Sequence, residues 1–158
     1  NDYSEFTIDN NNPEYIVIGD LDRDWTFDIM NKIFNKVLNG SKILALHKGK
    51  YFRVSEGLQI DSGAFIKGIE YATSTDSIVV GKPESHFFDI AIQDINIKKE
   101  NLVMVGDDII NDIGGAQSCG IKSILVQTGK YRQDLIEKSN IHPDLVIPSI
   151  YHILELLN

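Results

Sequence analysis

The chain has 158 residues, of which 42% are hydrophobic and 24% charged, an ordinary globular balance that excludes a disordered polyampholyte. Its net charge of -8 argues against nucleic acid as a partner, because phosphate backbones favour basic surfaces. No apolar run approaches the roughly 20 residues that span a bilayer, and a lone cysteine, Cys119, points to a reducing, cytoplasmic setting.

Residues 1–14 are polar and rich in asparagine, which suits a loop or arm. Residues 15–19 form a short apolar strand. Thr26 can cap a following helix, along which Phe27, Met30, Ile33, Phe34, Val37 and Leu38 recur at helical spacing until Gly40. A second strand covers 42–46, and residues 50–60 predict a hairpin around Glu56-Gly57. Asp61 or Ser62 starts another helix, with Phe65, Ile66, Ile69 and Tyr71 among its apolar positions, and 77–80 is extended.

The second half alternates more regularly. A helix is expected from Pro83, with Phe87, Phe88, Ala91, Ile92 and Ile95 on its apolar face. Residues 102–105 read as a buried strand, 109–119 as a helix closed by Gly120, and 121–126 as the next strand. Helix 131–138, strand 145–147 and a last helix over 149–157 follow. Apolar strands alternating with helices indicate right-handed βαβ units around a parallel sheet, an α/β fold.

Two clusters carry chemistry. Gly106-Asp107-Asp108, with Asp112 four positions on, stands directly after the 102–105 strand. In open α/β sheets ligands gather at the carboxyl ends of strands, and Mg²⁺ needs only one or two protein carboxylates. The same aspartates can equally serve as a helix cap, and Asp108 is the best placed for that. Gly81-Lys82-Pro83 holds a lysine at a strand end, where it can neutralise a phosphate, or stand solvated in a turn. The interval between Lys82 and Asp107 leaves room for one helix and one strand. A βαβ crossover of that length would bring both to one sheet edge on adjoining strands.

These clusters, with the segments VVGKPESHFF, VMVGDDIINDIGGAQSCGIKSILVQTGKYR and GAFIKGIEYAT, resemble the haloacid dehalogenase superfamily. The likeness is to the subgroup with a large α/β cap that includes the NagD-type phosphatases, and it extends over roughly residues 14–158. The resemblance implies a cap over 1–80 and the C-terminal half of a Rossmann-like core over 81–158. It implies a Mg²⁺-dependent phosphohydrolase acting on a small phosphorylated compound through an aspartyl-phosphate. Lys82 would then be the catalytic, substrate-binding lysine and Asp107 the metal ligand, with Asp112 and Asp108 supporting the metal shell. A homodimer paired through the caps would fit the same family.

The chain departs from the family at the first motif, an apolar strand followed by D-x-D-G. Asp20-Leu21-Asp22 has the spacing, but Arg23 stands where the glycine belongs. The surrounding sequence resembles the first strand and helix of the cap, so Asp20 is read as an acidic loop. The nucleophile is expected on a preceding segment, and this piece alone is expected to turn over little. Two rivals remain: a non-catalytic binding module that kept the fold, and a response-regulator-like phosphoacceptor. His47, His86, His142 and His152 lack metal-ligand spacing, and Cys119 reads as a buried thiol. The basic stretch 47–50 either faces substrate or is a solvated turn. Lys130 or Arg132, after a strand end, can contact an anion.

Overall fold

The computed structural model describes residues 4–93, 95 and 97–156. The chain divides into two compact units, Asn1–Tyr51 with Gln59–Val80, and Phe52–Leu58 with Gly81–Asn158.

The first unit is built on three parallel strands in the order β1 (Tyr15–Ile18), β2 (Lys42–Ala45) and β5 (Ile78–Val79). Helix α1 (Phe27–Leu38) connects β1 to β2, and Thr26 caps it by accepting from the Ile29 N–H. Helix α2 (Ser62–Thr73) is capped by Asp61. Their inner faces bury Ile33, Val37, Ile66 and Ile69 against Ile18, Ile43 and Ala45 of the sheet. Each fully buried isoleucine contributes roughly 1.5–3 kcal/mol of transfer free energy. Trp25 stacks on Phe65 with ring centroids 4.7 Å apart. Phe27 and Tyr71, expected on apolar faces, are instead 81% and 90% exposed. Each lies on the helix surface turned away from those inner faces, beyond the width of the apolar stripe.

Between β2 and α2 runs a hairpin, β3 (Tyr51–Val54) with β4 (Gly57–Ile60). Gly57 turns it with a φ of 132°, a conformation open to glycine.

The second unit holds three parallel strands in the order β6 (Val103–Gly106), β7 (Lys122–Val126) and β8 (Leu145–Ile147). Helix α3 (Ser85–Gln93) begins two residues after Pro83 rather than on it. Phe88 of α3 packs with Ala116 and Ile121, and Ile109, Ile113 and Leu125 form a second cluster with Leu135 and Ile136. The expected helix over 109–119 is a π-helical turn, Ile109–Gly114, running into a short α4 (Gly115–Ser118). Helix α5 is Gln133–Ser139, and the last segment winds as a 3-10 helix over Ile150–Leu156. Leu157, the expected end of that helix, lies outside the described residues. β6 was expected to be buried, yet Val103 is 49% exposed. The strand pairs only with β7 among the described residues, and an edge strand is covered on fewer sides than a central one.

Candidate active site

The site is built on the turn that leaves β6. Gly106 ends the strand, and the next two residues carry carboxylates. The Asp108 carbonyl accepts from both the Asp112 and Ile113 N–H groups, which gives the first helical turn its π geometry. That wider turn brings the Asp112 carboxylate back over Gly106, where any Cβ would collide with it. Asp112 is buried, with 6% of its surface exposed. Its Oδ2 accepts from the Asp108 N–H at 3.2 Å and its Oδ1 accepts from Lys82 Nζ at 2.6 Å.

Lys82 therefore meets Asp112, and it does not arrive as the spacing argument supposed. β5, the strand before it, pairs with β2 in the first sheet, whereas β6 pairs with β7 in another. Lys82 is carried on the loop between β5 and α3, not on a strand adjoining β6. The apolar run at 77–80 satisfied its ladder with β2, so the crossover from Lys82 to Asp107 joins no two neighbouring strands of one sheet.

The three aspartates have distinct surroundings. Asp108 is a helix cap: Oδ1 accepts from the Ile110 and Asn111 N–H groups, Oδ2 from the Asn111 side chain. Lys130 Nζ stands 3.5 Å from Oδ2. Burial pushes the Asp108 carboxyl up, but the Asn111 bonds, Lys130 and the Ile110 N–H together outweigh it and hold the group below its ordinary value. Asp107 Oδ2 accepts from the Lys130 N–H at 2.9 Å, while its Oδ1 accepts no hydrogen bond among the described residues. Gly129, with φ of 56°, lies against the same carboxylate.

An oxygen donor set of this kind suits Mg²⁺ rather than a soft metal. Among the described residues no group of three or more His, Cys, Asp or Glu side chains forms a metal cage. Mg²⁺ does not demand one, since it keeps several waters and takes one or two carboxylates. The open oxygen of Asp107 fits that requirement.

Other sequence candidates lie elsewhere. Asp20 Oδ1 accepts from the Asp22 N–H at 2.9 Å, and Asp22 Oδ1 accepts from Gln59 Nε2 at 2.7 Å, so this pair closes a local turn in the first unit. His47 Nδ1 lies 3.8 Å from Asp61 Oδ2 beside the start of α2. Lys48 pairs with buried Glu70. Arg132 pairs with Asp134. Cys119 is half-buried, not buried: it sits where α4 ends, within 3.9 Å of the Ser85 carbonyl. Arg53 was overlooked; its Nε donates to the Gly129 carbonyl at 2.6 Å. Nothing local marks that pairing, since 76 positions separate the two residues.

Parallel α/β units with a lysine-aspartate pair beside an acidic strand-end turn define the chain as an α/β protein with its candidate site at a strand's carboxyl end. The chain is similar to the haloacid dehalogenase-like hydrolases: the family model described as HAD-hydrolase-like matches residues 79–153. It is 35% identical to the phospholysine phosphohistidine inorganic pyrophosphate phosphatase of Xenopus laevis over 153 residues, 96% of this chain and 57% of that protein. It is 39% identical to the human haloacid dehalogenase-like hydrolase domain-containing protein 2 over 148 residues, 94% of this chain and 57% of that protein. Among solved structures, the 4-nitrophenylphosphatase of Thermotoga maritima superposes with a TM-score of 0.86 at 27% identity, covering 98% of this chain and 59% of that one. The chain thus spans a little over half the length of these relatives.

Proposed function

We propose that the complete protein is a Mg²⁺-dependent phosphatase acting on a small phosphorylated compound through an aspartyl-phosphate. In this reading residues 1–80 form the cap and 81–158 the second half of the core. The observation that carries it is the tie between Lys82 and Asp112 at 2.6 Å, made over the same Gly106 turn that presents Asp107.

The chemistry follows from what each group offers. The Lys82 ammonium is a compact positive charge with three donors, one of them committed to Asp112. The others are available to a phosphoryl oxygen and to the attacking carboxylate, whose mutual repulsion they relieve. Asp112, buried, anchors the lysine's direction. Asp107 would hold Mg²⁺ through its open oxygen, with Asp112 and Asp108 supporting that shell. When bound, the ion neutralises phosphoryl oxygens. The nucleophile and the acid/base aspartate are assigned to a segment outside this chain. The local hydrogen bonding of Asp20 and Asp22 supports reading them as a structural turn.

We take the substrate to be a small phosphorylated compound, in keeping with the relatives' names; because the net charge of -8 repels such an anion, Lys82 and the bound cation would supply the local positive site. No helix among the described residues is long and apolar enough to cross a membrane. We place the protein in the cytoplasm on its cysteine usage, and infer a homodimer through the first unit, where Phe27 and Tyr71 are exposed.

The test is hydrolysis of p-nitrophenyl phosphate by the complete protein with Mg²⁺ and with EDTA, beside Lys82→Ala and Asp107→Asn. Turnover that needs Mg²⁺ and collapses in both variants is expected. Turnover indifferent to EDTA, or intact in both variants, would overturn the reading.

A further inference from the structure

Of the three carboxylates on the β6 turn, two have a lysine partner: Asp112 has Lys82 and Asp108 has Lys130. Asp107 has none among the described residues; its bond is to a backbone N–H, that of Lys130. A neutral donor fixes a carboxylate without cancelling its charge. That donor is aimed by Gly129, whose φ of 56° puts the chain in the left-handed region. Gly129 also has to be a glycine for space, because a Cβ there would overlap Asp107 Oδ2 and push the carboxylate away. The turn is held from its other side by Arg53, whose Nε donates to the Gly129 carbonyl at 2.6 Å.

We propose that the Gly129-Lys130 turn, clamped by Arg53, positions Asp107 for its cation, with the Lys130 N–H holding Oδ2 so that Oδ1 is presented to the metal. Gly129, the Lys130 backbone and Arg53 are positioning groups and touch neither substrate nor ion. The inference rests on the metal reading above and adds to it what sets the ligand's direction. Such outer partners of metal ligands typically carry about 10–100-fold in affinity.

The experiment is titration of the complete protein with Mn²⁺ as probe, followed by electron paramagnetic resonance, together with the amide spectrum of ¹⁵N-labelled protein. Gly129→Ala and Gly129→Asn should each weaken Mn²⁺ by about 10–100-fold. Asparagine tolerates the left-handed backbone, so its loss would report the Cβ overlap rather than strain. Gly120→Ala is the control: Gly120 has a φ of 74° with open space around it, so it is strained in the same way without contacting Asp107. It should lower Tm and leave the affinity unchanged. Arg53→Ala removes an exposed side chain that the fold tolerates losing, and should weaken Mn²⁺ several-fold and shift the Lys130 amide resonance. That resonance should also move in Asp107→Asn. Wild-type affinity in the Gly129 and Arg53 variants, with Asp107→Asn still defective, overturns this inference alone. No Mn²⁺ binding by the wild type, or equal binding by Asp107→Asn, overturns the metal reading and this inference with it.

Discussion

Lys82 and Asp112, 30 positions apart, are joined by a 2.6 Å contact in which the carboxylate is buried and the ammonium about one-third exposed. The asymmetry matters. The lysine can reach outward to a ligand while its partner stays fixed beneath it, and the partner depends on the lysine more than the reverse.

Lys82→Ala is therefore expected to act twice. It removes a group proposed to stabilise the transferring phosphoryl, which should lower kcat by about 10²-fold or more. It also leaves buried Asp112 with the Asp108 N–H as its remaining donor among the described residues, at a cost of about 1–3 kcal/mol. Steady-state kinetics and urea unfolding of one variant separate the two effects. A loss of stability with normal kcat would make the lysine structural.

Asp108 should behave as a cap. Asp108→Ala removes the acceptor for the Ile110 and Asn111 N–H groups and should cost about 0.5–2 kcal/mol, with Asp108→Asn milder. Because its folded carboxyl lies below the ordinary value, its contribution is present above the unfolded pKa and is lost as pH falls through the folded one. The stability difference between wild type and Asp108→Ala should thus shrink as the solution is acidified below the usual aspartate range. A difference independent of pH would refute the assignment.

Glu70 offers a test in the first unit. Burial pushes it up, but Lys48, Lys67 and the Ser77 hydroxyl and N–H more than offset that and bring its pKa from 4.5 to about 2. The depressed value means stabilisation above pH 4.5 that drains away as pH falls toward 2. Glu70→Gln should lose roughly 1–3 kcal/mol near neutral pH, with wild type and variant converging in acid. Thermal melts across that interval measure it, and parallel curves would contradict the account.

Gly115→Ala probes the packing beneath the site. A Cβ there would come within 2.8 Å of the Phe88 ring and 3.0 Å of the Pro83 Cα. Overpacking of this kind costs about 1–3 kcal/mol, and because Pro83 follows Lys82 it should also displace the lysine. Lower Tm together with reduced kcat is expected; a variant as stable and active as wild type would show that the loop gives way freely.

Local pattern was sufficient for much of this molecule. Thr26 and Asp61 cap helices because short oxygen side chains before apolar helical periods satisfy the first free N–H groups, and both do so here. The hairpin turned at Gly57, and the parallel pairing of β6, β7 and β8 follows from apolar strands separated by helices. The GDD turn was visible because carboxylates at a strand end stand out from any core. The burial of β6 was misjudged, because an apolar strand reads alike in the middle of a sheet and at its edge.

Residue types and short-range spacing determined most of the elements and the family likeness, and singled out Lys82, Asp107, Asp108 and Asp112 as candidates, since those rest on chemistry within one or two turns of chain. Pairing partners were decided only in three dimensions. That β5 joins β2 instead of neighbouring β6, that Lys82 takes Asp112, and that Arg53 reaches Gly129 depend on which distant surfaces win one another's hydrogen bonds. That competition is settled by packing across the whole unit, and no local stretch of residues encodes it.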